Sequence, residues 1–182
     1  MLKNYIVLVI TCLALSACSI PRIVVLSDPL TAKEHNDLGV SYELMGETEL
    51  ALKEYELAFK QDRKWDQPLI NHGNVHAGLE NWDEAQSSYQ EALKRNSQNP
   101  EAMNNLAYVL LKQDQSDDAL VWSGRAVEIQ PDNPYFLNTH ATAYFKAGNP
   151  VMAKQYLVKA LEHTSEDSPL RERILHELEK LP

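Results

Sequence analysis

The length, composition and charge of the chain set broad limits on what it can be. Its 182 residues suffice for one domain with a sizeable core, and a hydrophobic fraction of 44% is ordinary for a globular protein. The 26 acidic residues outnumber 17 basic ones, for a formal net charge of −9. This excess disfavours a role in nucleic-acid binding, because phosphate backbones repel acidic surfaces.

Residues 1–17 have the pattern of an export signal. Lys3 supplies a positive charge, residues 5–15 are almost wholly apolar, and residues 15–18 read Leu-Ser-Ala-Cys. An apolar run this short, ending in small residues, is typical of a secretory signal and not of a spanning helix. Residues 15–18 resemble the lipobox of bacterial lipoproteins, which implies cleavage before Cys18 and acylation of that cysteine. The alternative is an ordinary signal peptide, or an N-terminal anchor, with a chance cysteine.

Residues 18–31 are predicted to be a tether that follows the lipidated cysteine. Removal of the signal would take Cys12 with it, so no disulfide could form within the mature chain. The lipoprotein resemblance, together with Ser19 after the cysteine, implies sorting to the bacterial outer membrane, facing the periplasm. The apolar residues of the tether are expected to pack against the following domain or, alternatively, to lie near the bilayer.

From residue 32 onward the chain repeats a pair of amphipathic helices every 34 residues, in the units 32–65, 66–99, 100–133 and 134–167. The eighth position holds glycine or alanine, and the twentieth and twenty-seventh positions are alanine in every unit. Because helices that cross at close range need small residues at the contact, this pattern predicts tightly packed helix pairs. The expected helices cover roughly 33–45, 49–62, 67–79, 83–96, 101–113, 117–130, 135–147, 150–163 and 169–181.

This pattern resembles the tetratricopeptide repeat over residues 32–167. The resemblance implies an all-α, right-handed solenoid of four helix-turn-helix pairs. The chain departs from the repeat where His72 and His140 replace leucine, and where the late proline survives only as Pro131. Residues 168–182 carry an apolar stripe on an otherwise charged helix, which predicts a C-terminal capping helix.

The resemblance also implies a concave groove lined by the first helix of each pair. The candidate groove residues share inward-facing repeat positions and are Asn36, Asn71, Asn74, Asn104, Asn105, Tyr108, Asn138, Thr142 and Phe145. A carboxamide both donates and accepts hydrogen bonds, so a row of asparagines can bind the backbone of an extended peptide. Alternatively, the asparagines are simply solvated surface. Asn36 and Val40 stand where family members that bind a C-terminal carboxylate need lysine and asparagine, so that clamp is incomplete.

A zinc site is the one alternative that the sequence offers for enzymatic chemistry. His72, His76 and Glu80 follow each other at intervals of four, a spacing that can bind zinc. However, Gly73 follows the first histidine, so the general base of a His-Glu-x-x-His metalloprotease is missing. Both histidines also occupy packing positions of the repeat. We therefore expect a protein that is not an enzyme and that needs neither a cofactor nor a metal.

The function expected from these features is that of a membrane-tethered adaptor for protein segments. The chain resembles the pilotin-type lipoproteins that assist assembly of pili and secretion systems. An adaptor for cell-wall hydrolases is the alternative, and a zinc-dependent envelope enzyme is a weaker one. Stacking through the repeat ends would make a homo-oligomer, and no nucleic-acid partner is expected.

Overall fold

The computed structural model describes residues 28–181, and these form nine α-helices and no strand. The helices are α1 (Ala32–Leu44), α2 (Thr48–Gln61), α3 (Gln67–Gly78), α4 (Trp82–Arg95), α5 (Pro100–Lys112), α6 (Ser116–Ile129), α7 (Pro134–Lys146), α8 (Pro150–Glu162) and α9 (Pro169–Glu179). All nine predicted helices are confirmed, with ends that differ by one or two residues. The predicted signal and Cys18 lie outside the described residues.

Local sequence explains where several helices begin. The side chain of Asn149 accepts a hydrogen bond from the backbone N–H of Met152 at 3.1 Å, and Pro150 occupies the first helical turn. Ser168 caps α9 in the same manner, accepting from Leu170 at 3.3 Å. Capping side chains satisfy backbone donors that the helix leaves unpaired, while proline at the start loses no intrahelical bond.

The turn within each helix pair requires one residue in the left-handed region of backbone conformation. Gly46 and Gly148 take this place in the first and fourth units, with φ of 79° and 82°. Glu80 and Asp114 occupy the same place in the second and third units, with φ of 59° and 57°. Residues with a side chain are strained in this region, whereas glycine is not. The turn geometry is thus common to all four units although the residue is not.

Small residues allow close approach of the two helices within each unit, as the sequence predicts. The alanines at the twentieth and twenty-seventh positions of the four units are fully buried: Ala51, Ala58, Ala85, Ala92, Ala119, Ala126, Ala153 and Ala160. In the first two units a glycine faces a buried tyrosine ring. A Cβ atom on Gly39 would lie 2.6 Å from a ring carbon of Tyr55, and a Cβ on Gly73 would lie 2.6 Å from the ring of Tyr89.

Further segments pack against the two ends of the helical array. Leu170 and Ile174 of α9 are buried and pack with Leu137 and Leu157 of the fourth unit, so α9 is the predicted capping helix. At the other end, the carbonyl of Leu30 accepts a hydrogen bond from the Gln61 side chain at 2.9 Å. The last residues of the predicted tether therefore lie against the first unit.

Candidate binding groove

The first helices of the four units form one continuous surface. Helix α1 contacts α3, α3 contacts α5 and α5 contacts α7, and these contacts are more extensive than any between successive second helices. An array whose first helices lie closer together than its second helices curves towards the first helices. The concave face is therefore the one that carries the candidate groove residues.

Four of the predicted groove asparagines bond to one another across neighbouring first helices. The Asn71 Nδ2 atom donates to Asn36 Oδ1 at 2.9 Å, and Asn105 Nδ2 donates to Asn74 Oδ1 at 2.9 Å. The Tyr89 hydroxyl also donates to Asn74 Oδ1, at 2.8 Å. These amides join successive units, so part of their hydrogen-bonding capacity is used within the fold. Their repeat positions predict either peptide contact or solvation, and neither alternative includes this pairing.

Two further groove asparagines keep an unused acceptor. The Oδ1 atoms of Asn104 and Asn138 are buried and have no hydrogen-bond partner among residues 28–181. Asn138 as a whole is only 7% exposed. A buried acceptor without a partner costs about 1–3 kcal/mol, so an N–H donor that reaches it gains a favourable interaction.

Exposed aromatic side chains lie on the same face. Tyr108 is 43% exposed, Phe145 is 47% exposed and Tyr135 is 57% exposed. Thr142 is half-buried and its hydroxyl donates to the backbone carbonyl of Asn138 at 3.0 Å. Aromatic rings supply a large contact area at low cost in conformational entropy, which suits a binding surface.

The C-terminal end of this surface is a recess of about 370 Å³ between α5, α7 and α9. Lys112, Lys146 and Arg173 line it together with Glu177. Burial raises the pKa of the Glu177 carboxyl, while the neighbouring Arg173 opposes that rise. The apolar stripe of α9 predicts a capping helix alone, and repeat periodicity carries no information about its contribution to the groove.

The structure brings two of the three proposed zinc ligands together. The rings of His72 and His76 lie 4.5 Å apart between centroids, and His72 Nδ1 lies 2.9 Å from Ser88 Oγ. Burial, with a smaller effect from His76, lowers the pKa of His72 to about 4. Glu80 is exposed in the turn after α3, and no group of three His, Cys, Asp or Glu side chains in residues 28–181 is arranged to hold a metal. The geometry therefore favours the packing interpretation of His72, whereas the Nδ1 atom of His76 is buried without a hydrogen-bond partner among residues 28–181.

Comparison with known sequences identifies the repeat. A sequence model of the tetratricopeptide repeat matches residues 70–134, from α3 to the start of α7. Residues 70–134 thus match the tetratricopeptide repeat (TPR). A TPR repeat-containing protein of Methanocaldococcus jannaschii is 36% identical over 93 residues, which cover 51% of this chain and 16% of that protein. The chain thus spans only a small part of the length of this curated relative.

Solved structures confirm the predicted TPR solenoid. A structure of MamA from Desulfovibrio magneticus superposes with a TM-score of 0.68 at 19% identity, covering 82% of this chain and 95% of that one. PilF of Pseudomonas aeruginosa superposes with a TM-score of 0.70 at 23% identity, covering 84% of this chain and 71% of that one. At these identities the similarity is one of fold.

Residues 28–181 contain no helix that is both long and apolar enough to cross a membrane. The predicted lipidation site, Cys18, lies before these residues and stays a prediction from the sequence.

Proposed function

We propose that this protein is a lipid-anchored adaptor of the bacterial outer membrane, which binds an extended segment of a partner protein along its concave TPR face. Its proposed role is in assembly of an envelope complex such as a pilus or a secretion system. The observation that carries the binding proposal is the combination, on one face, of exposed Tyr108, Tyr135 and Phe145 with the partly exposed amides of Asn71, Asn104 and Asn105.

This combination suits an extended peptide in particular. An extended backbone offers N–H donors and C=O acceptors along its length, to which partly exposed carboxamides can bond, and its side chains can cover the aromatic rings. The pairs Asn71–Asn36 and Asn105–Asn74 hold neighbouring first helices together before any partner arrives. A preformed groove loses less conformational entropy on binding than a flexible one.

The anchoring and assembly parts of the proposal have a different basis. Residues 15–18 resemble a lipobox, and the chain resembles pilotin-type lipoproteins. Several acyl chains on Cys18 would hold the protein stably at a bilayer, because each buried CH₂ group contributes about 0.8 kcal/mol. An adaptor for cell-wall hydrolases would use the same groove and the same anchor, and the identity of the partner separates the two roles.

Site-specific crosslinking in cells tests the groove. A photoreactive phenylalanine analogue would replace Tyr135 or Phe145, which are exposed on the concave face. In the matched control it would replace Val151, which is 66% exposed on α8, a second helix. We expect positions 135 and 145 to crosslink to one defined partner segment, identified by mass spectrometry, and position 151 not to crosslink to it. Equal crosslinking from all three positions would contradict binding in the groove.

The two cysteines allow a matched test of the anchor. Cys18→Ser should abolish labelling by palmitate and release the protein from the outer-membrane fraction, whereas Cys12→Ser should leave both unchanged. Membrane retention of the Cys18→Ser protein would refute lipid anchoring at this residue.

A further inference from the structure

The recess at the C-terminal end of the groove is lined by three basic side chains and one acidic side chain, Glu177, in a chain whose net charge is −9. Its three basic residues, Lys112, Lys146 and Arg173, come from α5, α7 and α9 respectively. Cations from three separate helices therefore meet around one cavity of about 370 Å³. A cluster of basic side chains on an otherwise acidic protein attracts anionic groups and orients them as they approach.

These cations differ in how far the fold already neutralises them. Lys146 donates to Asp114 at 2.7 Å and to the carbonyl of Leu111 at 2.6 Å, so it is committed to the fold. Lys112 has no carboxylate within 4.0 Å in the described part of the chain. Its ammonium lies 5.3 Å from the ring centroid of Tyr108 and 5.9 Å from that of Trp82, which fixes its position without cancelling its charge.

Asn138 is one of the residues that line the recess. It is 7% exposed, and its Oδ1 atom is buried without a partner among residues 28–181. Rotation of this side chain towards the recess would bring its amide within reach of the backbone N–H of the residue whose carboxylate meets Lys112.

An apolar chamber of about 220 Å³ adjoins the charged recess. The two share Thr142 and Glu177, and the chamber is lined by apolar side chains that include Phe145, Leu157 and Leu181. A residue next to the acidic one in the bound chain would place an apolar side chain there.

We propose that this end of the groove binds an aspartate or glutamate side chain of the partner segment, with a neighbouring apolar side chain in the adjoining chamber. This inference rests on the proposed function and specifies the chemistry of the segment. A side-chain carboxylate fits better than a terminal one, because Lys146 is already paired with Asp114. In addition, Asn36 and Val40 stand where a terminal-carboxylate clamp needs lysine and asparagine. A protein segment fits better than an anionic bilayer, because the acidic molecule repels such a surface and the recess is concave.

The test begins with the partner segment that crosslinks to a photoreactive residue at Phe145. We expect an Asp or Glu beside an apolar residue in that segment. A synthetic copy, acetylated and amidated, would be titrated with the purified full-length protein. Changing its acidic residue to the amide should weaken binding roughly tenfold, and Lys112→Met should weaken it by a similar factor. The matched control Lys154→Met, an exposed lysine on α8, should leave affinity unchanged.

A charge exchange separates recognition from a structural effect. The Lys112→Glu variant should bind the original peptide poorly. It should bind a peptide with lysine in place of the acidic residue at least several-fold more tightly than it binds the original peptide. A captured segment without an acidic residue, or a need for a free terminal carboxylate, would overturn the inference. Binding to phosphatidylglycerol vesicles that depends on Lys112 would overturn it as well. No capture at Phe145 or Tyr135 would instead contradict the proposed function itself.

Discussion

Replacing Gly73 with alanine tests the packing rule on which the repeat is built. The new Cβ atom would lie 2.6 Å from Tyr89 Cε1, 2.9 Å from Cδ1 and 3.0 Å from Cζ. Carbon atoms in contact prefer separations of about 3.5–4 Å, so the ring must move by nearly 1 Å. Tyr89 is 2% exposed and its hydroxyl donates to Asn74 at 2.8 Å, so the ring has no free space and loses a hydrogen bond if it shifts.

The expected loss follows from three contributions. Overpacking a buried site costs about 1–3 kcal/mol, and the weakened bond from Tyr89 to Asn74 costs about 1 kcal/mol. Alanine is a better helix former than glycine by about 1 kcal/mol, which offsets part of this. We therefore expect Gly73→Ala to lower the free energy of unfolding by about 2 kcal/mol. Gly78→Ala in the same helix meets nothing within 4 Å and should be neutral or stabilising by about 0.5 kcal/mol.

Urea denaturation followed by circular dichroism measures these changes, and the chain itself supplies the compensating substitution. At the positions that correspond to Gly73 and Tyr89, the fourth unit has Ala141 and Leu157. The double variant Gly73→Ala with Tyr89→Leu should therefore be more stable than the sum of the single variants predicts, by more than 1 kcal/mol. Strictly additive effects, or a Gly73→Ala variant as stable as Gly78→Ala, would refute the reasoning.

Three further predictions concern stability. Arg95→Ala should cost about 2–3 kcal/mol in urea denaturation, because its guanidinium donates to three backbone carbonyls of the first unit at 3.0–3.2 Å. The matched control Arg63→Ala, at an exposed position, should cost under about 0.5 kcal/mol. Glu80→Gly should raise the free energy of unfolding by about 0.5–1 kcal/mol, because glycine relieves the strain at φ of 59°; a lower melting temperature would contradict this. Burial lowers the pKa of His140 from 6.5 to about 4, so protonation favours the unfolded chain. The free energy of unfolding should therefore be highest above pH 6.5 and decrease between pH 6.5 and 4. In acid denaturation over this range, the His140→Gln variant should lose about 2 kcal/mol less than the unchanged protein.

The sequence alone was enough to predict the helices and the way they pair. Alanines at the same place in every unit mark the contact between two helices, since only a small side chain fits there. Helix starts are equally local, because an asparagine such as Asn149 caps backbone groups within three residues of itself. Both features depend on neighbours along the chain or on strict periodicity, and both are visible in a single sequence.

Only the tertiary structure decided the state of the groove. Asn71 bonds to Asn36, 35 residues away, and whether two amides face each other or face solvent depends on how neighbouring units are rotated. Arg173 reaches the groove because α9 packs on the fourth unit, a placement that no repeat position encodes. The spacing of residues along the chain fixes which face of a helix they share, but the partner that a side chain meets across helices is set by the packing of the whole array.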